Sequence, residues 1–307
     1  MQFKDLREFI RALEETGEIK IIEGASCDLE IGGVSQIAAE SPKSPALLFD
    51  SIKEFPKGHR MLTNAISNRH RERLIFDVPE DLSDKEAVKY WKEKIKEYKP
   101  IAPQVVAAGA VKENELLDDK VDLNKIPWPK WHEQNERCSA YGTVFAWDPE
   151  SNNIHAVSCS LGLLDHRAMV ADVPWTSVDA PWNKYWSHGK ACPVAISLGH
   201  DPALLVAASM KLPLPSSPYD FAGWLRGAPV EVMKSEYAGV PIPAAAEVVL
   251  EGDLLPPEQR KEGAGSSVAT SGKWKAPYVN VKGMHFRNDP IIIGNPPFLG
   301  GCHGVLA

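Results

Sequence analysis

The residues best suited to chemistry lie in two short stretches of the sequence. The stretch "EGAGSS" begins with Glu262 and ends with Ser267, and only its glutamate can carry a proton at neutral pH. The stretch "HAVSCS" places His155 and Ser160 on one segment. A carboxylate can transfer protons, and a histidine can act as a base or bind a metal. A single histidine in a strand is nevertheless more often structural, so neither stretch alone defines a reaction.

A series of glutamates precedes the first stretch and includes Glu247 and Glu251. If "AEVVLEG" forms a strand, these two side chains share a face but lie about 13 Å apart, because each residue advances a strand by about 3.3 Å. That separation is too large for two carboxyl groups to share one proton. We therefore favour solvated strand charges over a catalytic pair.

Several familiar site motifs are absent from the sequence. It contains no GxGxxG or GxxxxGK[ST] phosphate loop, no GxSxG nucleophile motif and no HExxH zinc motif. The five cysteines show no CxxC spacing, which argues against a disulfide framework or a structural zinc site and fits a reducing cytoplasm.

Charge and hydropathy exclude two further classes of protein. The net charge is −7 and no basic patch stands out, so we expect no nucleic-acid partner. The densest positive cluster, "RHRERL", is interpreted as a solvated helix face. No stretch approaches 18 apolar residues and the N-terminus has no apolar signal region, so we expect a cytoplasmic protein that does not enter a membrane.

The first hundred residues predict a small α/β region. Leu6, Phe9, Ile10 and Leu13 form an apolar helical stripe that Gly17 closes. The segments "EIKII" and "PALLFD" are typical of strands, and "EIGGVSQIAAES" is typical of a helix. "SDKEAVKYWKEKIKEY" predicts another helix that begins after an N-terminal serine cap.

The segment after residue 140 is rich in predicted strands. "YGTVFAWDPESNNIHAVSCSLGLL" indicates a hairpin, "PVAISLG" a buried strand, and "DPALLVAASM" a helix capped by Asp201. "AAAEVVLEG" and "APYVNVKGMHF" add two strands, so we predict a mostly antiparallel sheet or barrel with inserted helices. Tryptophans concentrate between residues 128 and 186, and a packed core or subunit interface is slightly favoured over a pocket for a planar ligand.

Several long segments together resemble the UbiD family of decarboxylases and carboxylases, whose members use prenylated FMN with Mn or Mg. These segments include "VDLNKIPWPKW", "PVAISLGHDPALLVAA", "YDFAGWLRGAPVEVMKSE" and "HFRNDPIIIGNPP". The resemblance implies an α+β fold. An N-terminal α/β region would span residues 1–110, and a UbiD-like split β-barrel of the flavin-reductase type would span 111–300. Residues 301–307 would form a tail in place of the family's C-terminal dimerisation domain.

The resemblance also shows where this chain departs from the family's site. The family's glycine loop begins with a glutamate and ends with an acid, and here Glu262 matches the first and Ser267 replaces the second. The family's Asn-x-x-x-x-Arg strand matches "HAVSCS", so His155 replaces the metal-binding asparagine and Ser160 replaces the catalytic arginine. A serine hydroxyl can neither supply a proton near neutral pH without a base nor hold a carboxylate as arginine does.

The family's other two metal-binding residues are also replaced in this chain. Pro174, beside Trp175, takes the place of the family's histidine, and Pro218 takes the place of its glutamate, two residues before Asp220. In a strand, Asp220 would keep the face of the lost glutamate. The resemblance assigns the catalytic positions to Glu262, Ser267 and Ser160, the metal positions to His155 and Asp220, and the cofactor positions to Ser209, Met210 and Trp175.

Two functions from different classes follow from this pattern. The favoured one is a component of a UbiD-type (de)carboxylase acting on an aromatic or α,β-unsaturated acid. This chain would be non-catalytic alone and would serve as a structural partner of a catalytic UbiD homologue, so that prenylated FMN and its metal need not sit on this chain. The alternative is an active enzyme with a site rebuilt around His155 and Glu262. A weaker third possibility is a module that binds a planar ligand without chemistry.

Overall fold

A computed structural model of the chain describes residues 3–133, 139–174, 176–177, 179–210, 212, 217–257 and 276–296. These residues form the expected α+β fold, in which a small α/β region adjoins an antiparallel β-barrel. Nowhere in these ranges is there a helix with both the length and the apolar character needed to span a bilayer.

The N-terminal region is built around a four-stranded sheet of order β1-β2-β3-β14. Its elements are α1 (Leu6–Glu15), β1 (Ile19–Glu23), α2 (Glu30–Glu40), β2 (Ala46–Asp50), β3 (Arg60–Thr63), α3 (Arg69–Phe76), α4 (Asp84–Lys94) and β14 (Ile291–Ile293). The predicted helices and strands of this region are confirmed. The strand β14 comes from the far end of the described chain and pairs in parallel with β3.

The ends of the N-terminal helices follow their sequence signals. Asp5 caps α1 through the backbone N–H of Glu8, and Gly17 adopts a positive φ of 69° just beyond the helix. Ser83 and Glu86 form a capping box at the start of α4. These local signals explain why the helices begin and end where the sequence predicts.

The barrel is closed by six antiparallel strands. They are β6 (Ser139–Trp147), β7 (Ile154–Leu163), β8 (Ala168–Ala171), β9 (Cys192–Ser197), β12 (Val248–Leu255) and β13 (Tyr278–Phe286). Their order is β12-β9-β6-β7-β8-β13, and the pairing of β12 with β13 completes the ring, while β5 (Asn114–Leu117) adds to the outside edge of β13. A register shift between Glu251 and Gly252 marks this closing pair.

Helices and a small sheet cover the barrel. Among the described residues, the other elements are β4 (Gln104–Val105), α5 (Pro181–Ser187), α6 (Pro202–Ser209), α7 (Pro218–Arg226), β10 (Glu231–Lys234) and β11 (Pro241–Pro243). Short 3₁₀ turns include Ile95–Glu97, Ala110–Lys112, Asp118–Lys120 and Leu123–Lys125. The strands β11, β10 and β4 form a separate three-stranded sheet.

Side chains fill the interior of the barrel. Val144, Ile196, Leu250 and Val281 are completely buried in one continuous apolar cluster, and Trp182 from α5 joins them. Trp128 and Trp131 are also buried in this cluster, so the core interpretation holds for these tryptophans. Because the interior is packed, a ligand of this domain must bind outside the barrel.

The interpretation of "RHRERL" as a solvated helix face is wrong for part of α3. The side chain of Arg71 is fully buried and pairs with Glu18 at 3.0 Å. Its guanidinium also donates to the backbone carbonyls of Ser44, Asn64 and Ala65 at 2.6, 2.9 and 3.1 Å. The Glu18 carboxylate and three backbone carbonyls therefore satisfy a guanidinium that the sequence alone would place in water.

The interpretation of Glu247 as a solvated strand charge is also wrong. Glu247 precedes β12 and its side chain is fully buried. Its carboxylate accepts hydrogen bonds from Arg7 at 2.9 Å, from Arg287 at 3.3 Å and from the backbone N–H of Ile291 at 3.2 Å. The glutamate joins α1 to the strands that end the described chain.

The same correction applies to Glu251 within β12. The turn after β10 covers this side chain, which accepts from the backbone N–H groups of Tyr237 at 2.7 Å and Ala238 at 3.1 Å. His285 lies 3.1 Å away through Nε2. Glu251 is therefore a buried anchor for a turn rather than a solvated charge.

Candidate functional site

The outer face of the β6–β7 hairpin carries a group of hydroxyl side chains. Residues two apart on a strand share a face, and the register pairs Tyr141 with Ser160 and Thr143 with Ser158. Two further residues approach this face: His200, just before α6, and Ser209, the last residue of α6. We define the hairpin site as Tyr141, Thr143, Ser158, Ser160, His200 and Ser209.

The end of α6 lies on the hairpin face. The hydroxyl groups of Ser209 and Ser158 both donate to the carbonyl of Leu205, at 2.9 and 3.3 Å respectively. Burial raises the pKa of the Tyr141 hydroxyl, and the nearby Ser209 hydroxyl opposes that rise. The structure therefore brings the predicted positions Ser160 and Ser209 together around Tyr141, and half-buried Met210 directly follows α6.

A buried pair anchors the other end of α6. Asp201 caps the helix through the backbone N–H of Ala203 at 2.8 Å and accepts from Arg226 on α7 at 3.0 Å. Because both ends of α6 are held, the helix presents its C-terminal residues to the hairpin in a fixed position.

A histidine stands behind the hydroxyl groups. His200 is buried, with Nε2 at 2.8 Å from Thr143 Oγ1 and Nδ1 at 3.0 Å from the carbonyl oxygen of Asp201. Thr143 Oγ1 lies 2.9 Å from Ser158 Oγ. Burial lowers the pKa of His200 to about 4, so its imidazole is neutral at pH 7.

His155 lies on the opposite face of β7 from Ser160. The two residues are five apart on a regular strand, so their side chains point to opposite faces. The His155 ring makes an edge contact with buried Trp182, with 5.4 Å between ring centroids. Burial lowers the pKa of His155, although Asp148 opposes this change. The predicted role of His155 as a metal ligand stays a prediction, but the structure does not bring it to the hairpin site.

The argument that placed Asp220 on a strand is wrong. Asp220 belongs to the first turn of α7, where its carboxylate accepts from the backbone N–H of Ser217 at 2.9 Å in a capping box. The Pro218–Asp220 segment forms a helix because Ser217, proline at N1 and an acid at N3 together favour a helix start. Its role as a metal ligand stays a prediction. Within the described ranges, no three His, Cys, Asp or Glu side chains group in a way that could hold a metal.

Three predicted positions lie outside the described residues. Glu262 and Ser267, together with the rest of the glycine loop, fall between β12 and β13, in the segment 258–275. Trp175, predicted to contact the cofactor, follows the described residue Pro174. The proposed roles of all three stay predictions.

Sequence reasoning missed Tyr141, Thr143 and His200. The available signal was the alternation of hydroxyl residues on both strands of a predicted hairpin, because antiparallel pairing places such residues on one face. His200 gave no such signal, since its partner Thr143 is 57 residues away in sequence.

The hairpin site offers hydroxyl groups and a neutral imidazole. Throughout the part of the chain that the structure describes, no lysine or arginine forms a hydrogen bond or ion pair with any member of the site. Such a surface can hydrogen-bond a polar planar molecule but provides no charge to hold a carboxylate.

Family models match most of the chain. Residues 104–297 match the 3-octaprenyl-4-hydroxybenzoate carboxy-lyase Rift-related domain, UbiD, and residues 10–91 match the N-terminal domain of the same carboxy-lyases.

Two curated relatives align along nearly the whole chain. The pyrrole-2-carboxylic acid decarboxylase of Pseudomonas aeruginosa is 31% identical and is aligned over 95% of this chain and 62% of its own length. A phenolic acid decarboxylase of Bacillus subtilis is 27% identical over 95% of this chain and 63% of its own length. The chain thus spans less than two thirds of the length of both relatives.

Solved structures share the fold. The vanillic acid decarboxylase of Sedimentibacter hydroxybenzoicus in its closed form superposes with a TM-score of 0.85 at 24% identity, covering 97% of this chain and 65% of that one. The UbiD-class enzyme HmfF of Pelotomaculum thermopropionicum, solved with FMN, superposes with a TM-score of 0.82 at 24% identity, covering 95% and 65%.

Proposed function

The chain belongs to the UbiD family, and from this premise we propose that it is a component of a UbiD-type (de)carboxylase that does not perform the reaction alone. The substrate class is an aromatic or α,β-unsaturated carboxylic acid. The names of the relatives, which act on pyrrole-2-carboxylic acid and on phenolic acids, support this class.

The observation that carries the proposal is the uncharged hairpin site. Ser160 stands where the family resemblance expects an arginine, and the side chain directly across from it is Tyr141. A carboxylate is held most strongly by a bidentate guanidinium, which two neutral hydroxyl groups do not replace. The described part of the site thus supports a chain that keeps the family's scaffold and leaves the reaction to another subunit.

The geometry gives less support to a site rebuilt around His155. That side chain packs against Trp182 on the barrel side of β7, whereas Ser160, Ser158 and Tyr141 face α6. A rebuilt site with His155 as metal ligand or proton carrier would require reacting groups on both faces of one strand.

The cofactor fits the hairpin site only in part. Tyr141, Ser160, Ser209 and Met210 are the residues that would contact a flavin ring, and prenylated FMN supplies an electron sink for decarboxylation when bound. A divalent ion would need several oxygen ligands, and the Asp220 carboxylate is engaged in capping α7. We therefore propose that any flavin on this chain is held by hydrogen bonds and packing.

Assembly with a catalytic UbiD homologue completes the proposal. Among the solved relatives, HmfF has been described in an evolved dimeric form with prenylated FMN, which supports an oligomeric assembly. The partner would supply the acid, the cation and the metal-bound cofactor that the described residues do not group together.

The test is carbon dioxide release by the isolated chain. The chain is co-produced with a flavin prenyltransferase, purified alone, and incubated with pyrrole-2-carboxylate and 4-hydroxybenzoate. We expect no release above background. A double variant, Ser160→Arg with Ser267→Glu, restores the family pattern, and Ser151→Arg at the exposed hairpin turn controls for an added arginine. Turnover by the unmodified chain would overturn the proposal.

A further inference from the structure

A row of exposed lysines follows the outer side of α4 and the 3₁₀ turn that continues it. Their spacing alternates between four and three residues, which places side chains along one side of a helix. All five are exposed, and we define the lysine row as Lys85, Lys89, Lys92, Lys96 and Lys99. On the other side of α4, Trp91 contacts Phe76 and Trp224, with 4.8 and 5.8 Å between ring centroids. The helix therefore lies on the surface and presents the row to solvent.

The acids at the start of α4 are engaged by other groups. Asp84 forms ion pairs with Arg69 and, at 3.5 Å, with Arg73. Glu86 accepts from the backbone N–H of Ser83 at 2.9 Å in the capping box of the helix. Both carboxylates are thus drawn away from the lysines three or four residues further along, which they would otherwise neutralise.

Most of the row lacks an opposite charge. Lys96 pairs with Glu93 at 2.7 Å. Among the described residues, no ion pair involves Lys85, Lys89 or Lys92. The row is therefore a positive surface on a chain whose net charge is −7.

An acidic ridge lies on β5, the residue before it and the 3₁₀ turn after it. We define the acidic ridge as the exposed side chains of Glu113, Glu115, Asp118 and Asp119. β5 is the end strand of its sheet, so one edge of it has no neighbouring strand within the described ranges. Arg167 pairs with Asp119 at 3.2 Å and Lys120 belongs to the same turn, which leaves the ridge with an excess of negative charge.

The dimensions of the two surfaces agree. The row advances about 16 Å from Lys85 to Lys96, at about 1.5 Å per helical residue. The ridge advances about 17 Å from Glu113 to Asp119, at about 3.3 Å per strand residue and about 2.0 Å per residue of the turn. An open groove of about 340 Å³ lies on the ridge and is lined by Glu115, Leu117, Asp118, Asp119 and Lys120. Its carboxylates can hold a lysine ammonium while Leu117 contacts the methylene chain.

No ion pair joins the row to the ridge within the described chain. We propose that the lysine row of one molecule docks on the acidic ridge of a second copy, so that the chain self-associates head to tail. Because the two surfaces differ, the assembly either closes into a ring or keeps a free row at one end and a free ridge at the other. This inference is independent of the proposed function, since it uses neither the hairpin site nor the reaction.

A second copy fits the row better than a phosphate polymer or a lipid surface does. Glu93 and Glu97 are exposed on the same helical segment as the row. Together with the net charge of −7, these glutamates repel a surface that carries negative charge alone. The ridge instead brings Lys120 and Arg167, which can face them.

The experiment measures self-association of the full chain by sedimentation velocity at two salt concentrations. Exposed ion pairs are individually weak and are screened by salt, so the dissociation constant should rise at least about tenfold between about 50 and about 300 mM NaCl. A chain that stays monomeric at the lower salt and a protein concentration of about 0.5 mM would overturn the inference.

Charge reversal separates the row from the total charge. The row variant, Lys85→Glu with Lys89→Glu and Lys92→Glu, should weaken association at least about tenfold at the lower salt. The control variant changes the net charge equally at three exposed lysines outside α4: Lys43→Glu, Lys57→Glu and Lys190→Glu. The control should keep its association. Equal losses in the two variants would assign the effect to net charge and overturn the inference.

Mixing two variants tests the pairing itself. The ridge variant combines Glu115→Lys and Asp119→Lys with Asp118→Asn, because asparagine tolerates the positive φ of 48° at this position. The row variant and the ridge variant each carry like charges on both surfaces, so each should be monomeric alone and the mixture should associate. A mixture that stays monomeric would overturn the inference, and so would binding of heparin by an unmodified chain that does not self-associate.

Discussion

Replacing Glu251 by glutamine is expected to destabilise the fold more than any exposed charge substitution. Burial alone would raise the pKa of this carboxyl group, yet the hydrogen bonds from His285 and from the backbone N–H groups of Ala238 and Tyr237 hold it at about 2. Glutamine offers one acceptor oxygen in place of two. Whichever way its amide is turned, the NH₂ group faces a backbone N–H that the carboxylate now satisfies.

The magnitude follows from the pKa. A fall from the ordinary value of 4.5 to about 2 corresponds to about 3 kcal/mol of stabilisation by the ionised Glu251 at neutral pH. The folded pKa lies below the unfolded one, so this stabilisation is complete above pH 4.5 and is lost as the pH falls towards 2. The difference between Glu251→Gln and the unmodified chain should decrease to about 2 kcal/mol at pH 3.5.

The assay is urea unfolding followed by circular dichroism at both pH values. Glu236→Gln provides the control, because Glu236 is 57% exposed and its pair with Lys112 at 2.8 Å should contribute no more than about 0.5 kcal/mol. A loss below about 1 kcal/mol for Glu251→Gln at pH 7, or an equal loss at pH 7 and pH 3.5, would refute the assignment of Glu251 as an ionised anchor.

Two further predictions concern backbone packing and buried charge. A Cβ at Gly252 would lie 2.1 Å from the Asn280 carbonyl oxygen, so Gly252→Ala should prevent barrel closure and lower the unfolding free energy by more than about 2 kcal/mol. Gly33→Ala, on an open face of α2, should raise the free energy of unfolding by about 0.5–1 kcal/mol, because alanine favours a helix more than glycine does. Equal effects of Gly252→Ala and Gly33→Ala in urea unfolding would contradict the packing argument. Arg71→Met should lower the free energy of unfolding by about 3 kcal/mol, because three backbone carbonyls and Glu18 lose their hydrogen-bond donor. A melting temperature close to that of the unmodified chain would show that water replaces the guanidinium and would contradict this prediction.

Much of the fold was predictable because its signals are local. The Asp148–Asn153 turn joins two alternating strands, and Asp201 with Pro202 marks the start of α6. Such signals depend on residues within one turn of each other, and the sequence displays them directly.

The buried charges were not predictable, because their partners are remote in sequence. Arg71 pairs with Glu18, 53 residues away, and the carboxylate of Glu247 is satisfied by Arg7, 240 residues away. A run of charged residues is expected to be exposed to solvent unless the fold that buries it is known. The segment Pro218–Asp220 carries a strong local helix-start signal in Ser217, Pro218 and Asp220, and this signal outweighs the strand expected from the resemblance.

The candidate site was predictable only in outline. The resemblance indicated Ser160 and Ser209, which the structure brings around Tyr141, but the hydrogen-bonded background of Thr143 and His200 depends on strand register and on α6. The separation of His155 from Ser160 follows from strand alternation alone and could have been seen in the sequence.

The most direct test of the proposed function follows flavin and turnover through partner removal. The protein is isolated natively with its co-purifying chains, and flavin absorbance, metal content and carbon dioxide release from an aromatic acid are measured before and after the partners are stripped away. We predict that all three signals leave with a UbiD homologue. A stripped chain that keeps its flavin band and its turnover would contradict the proposal that the chemistry resides on another subunit.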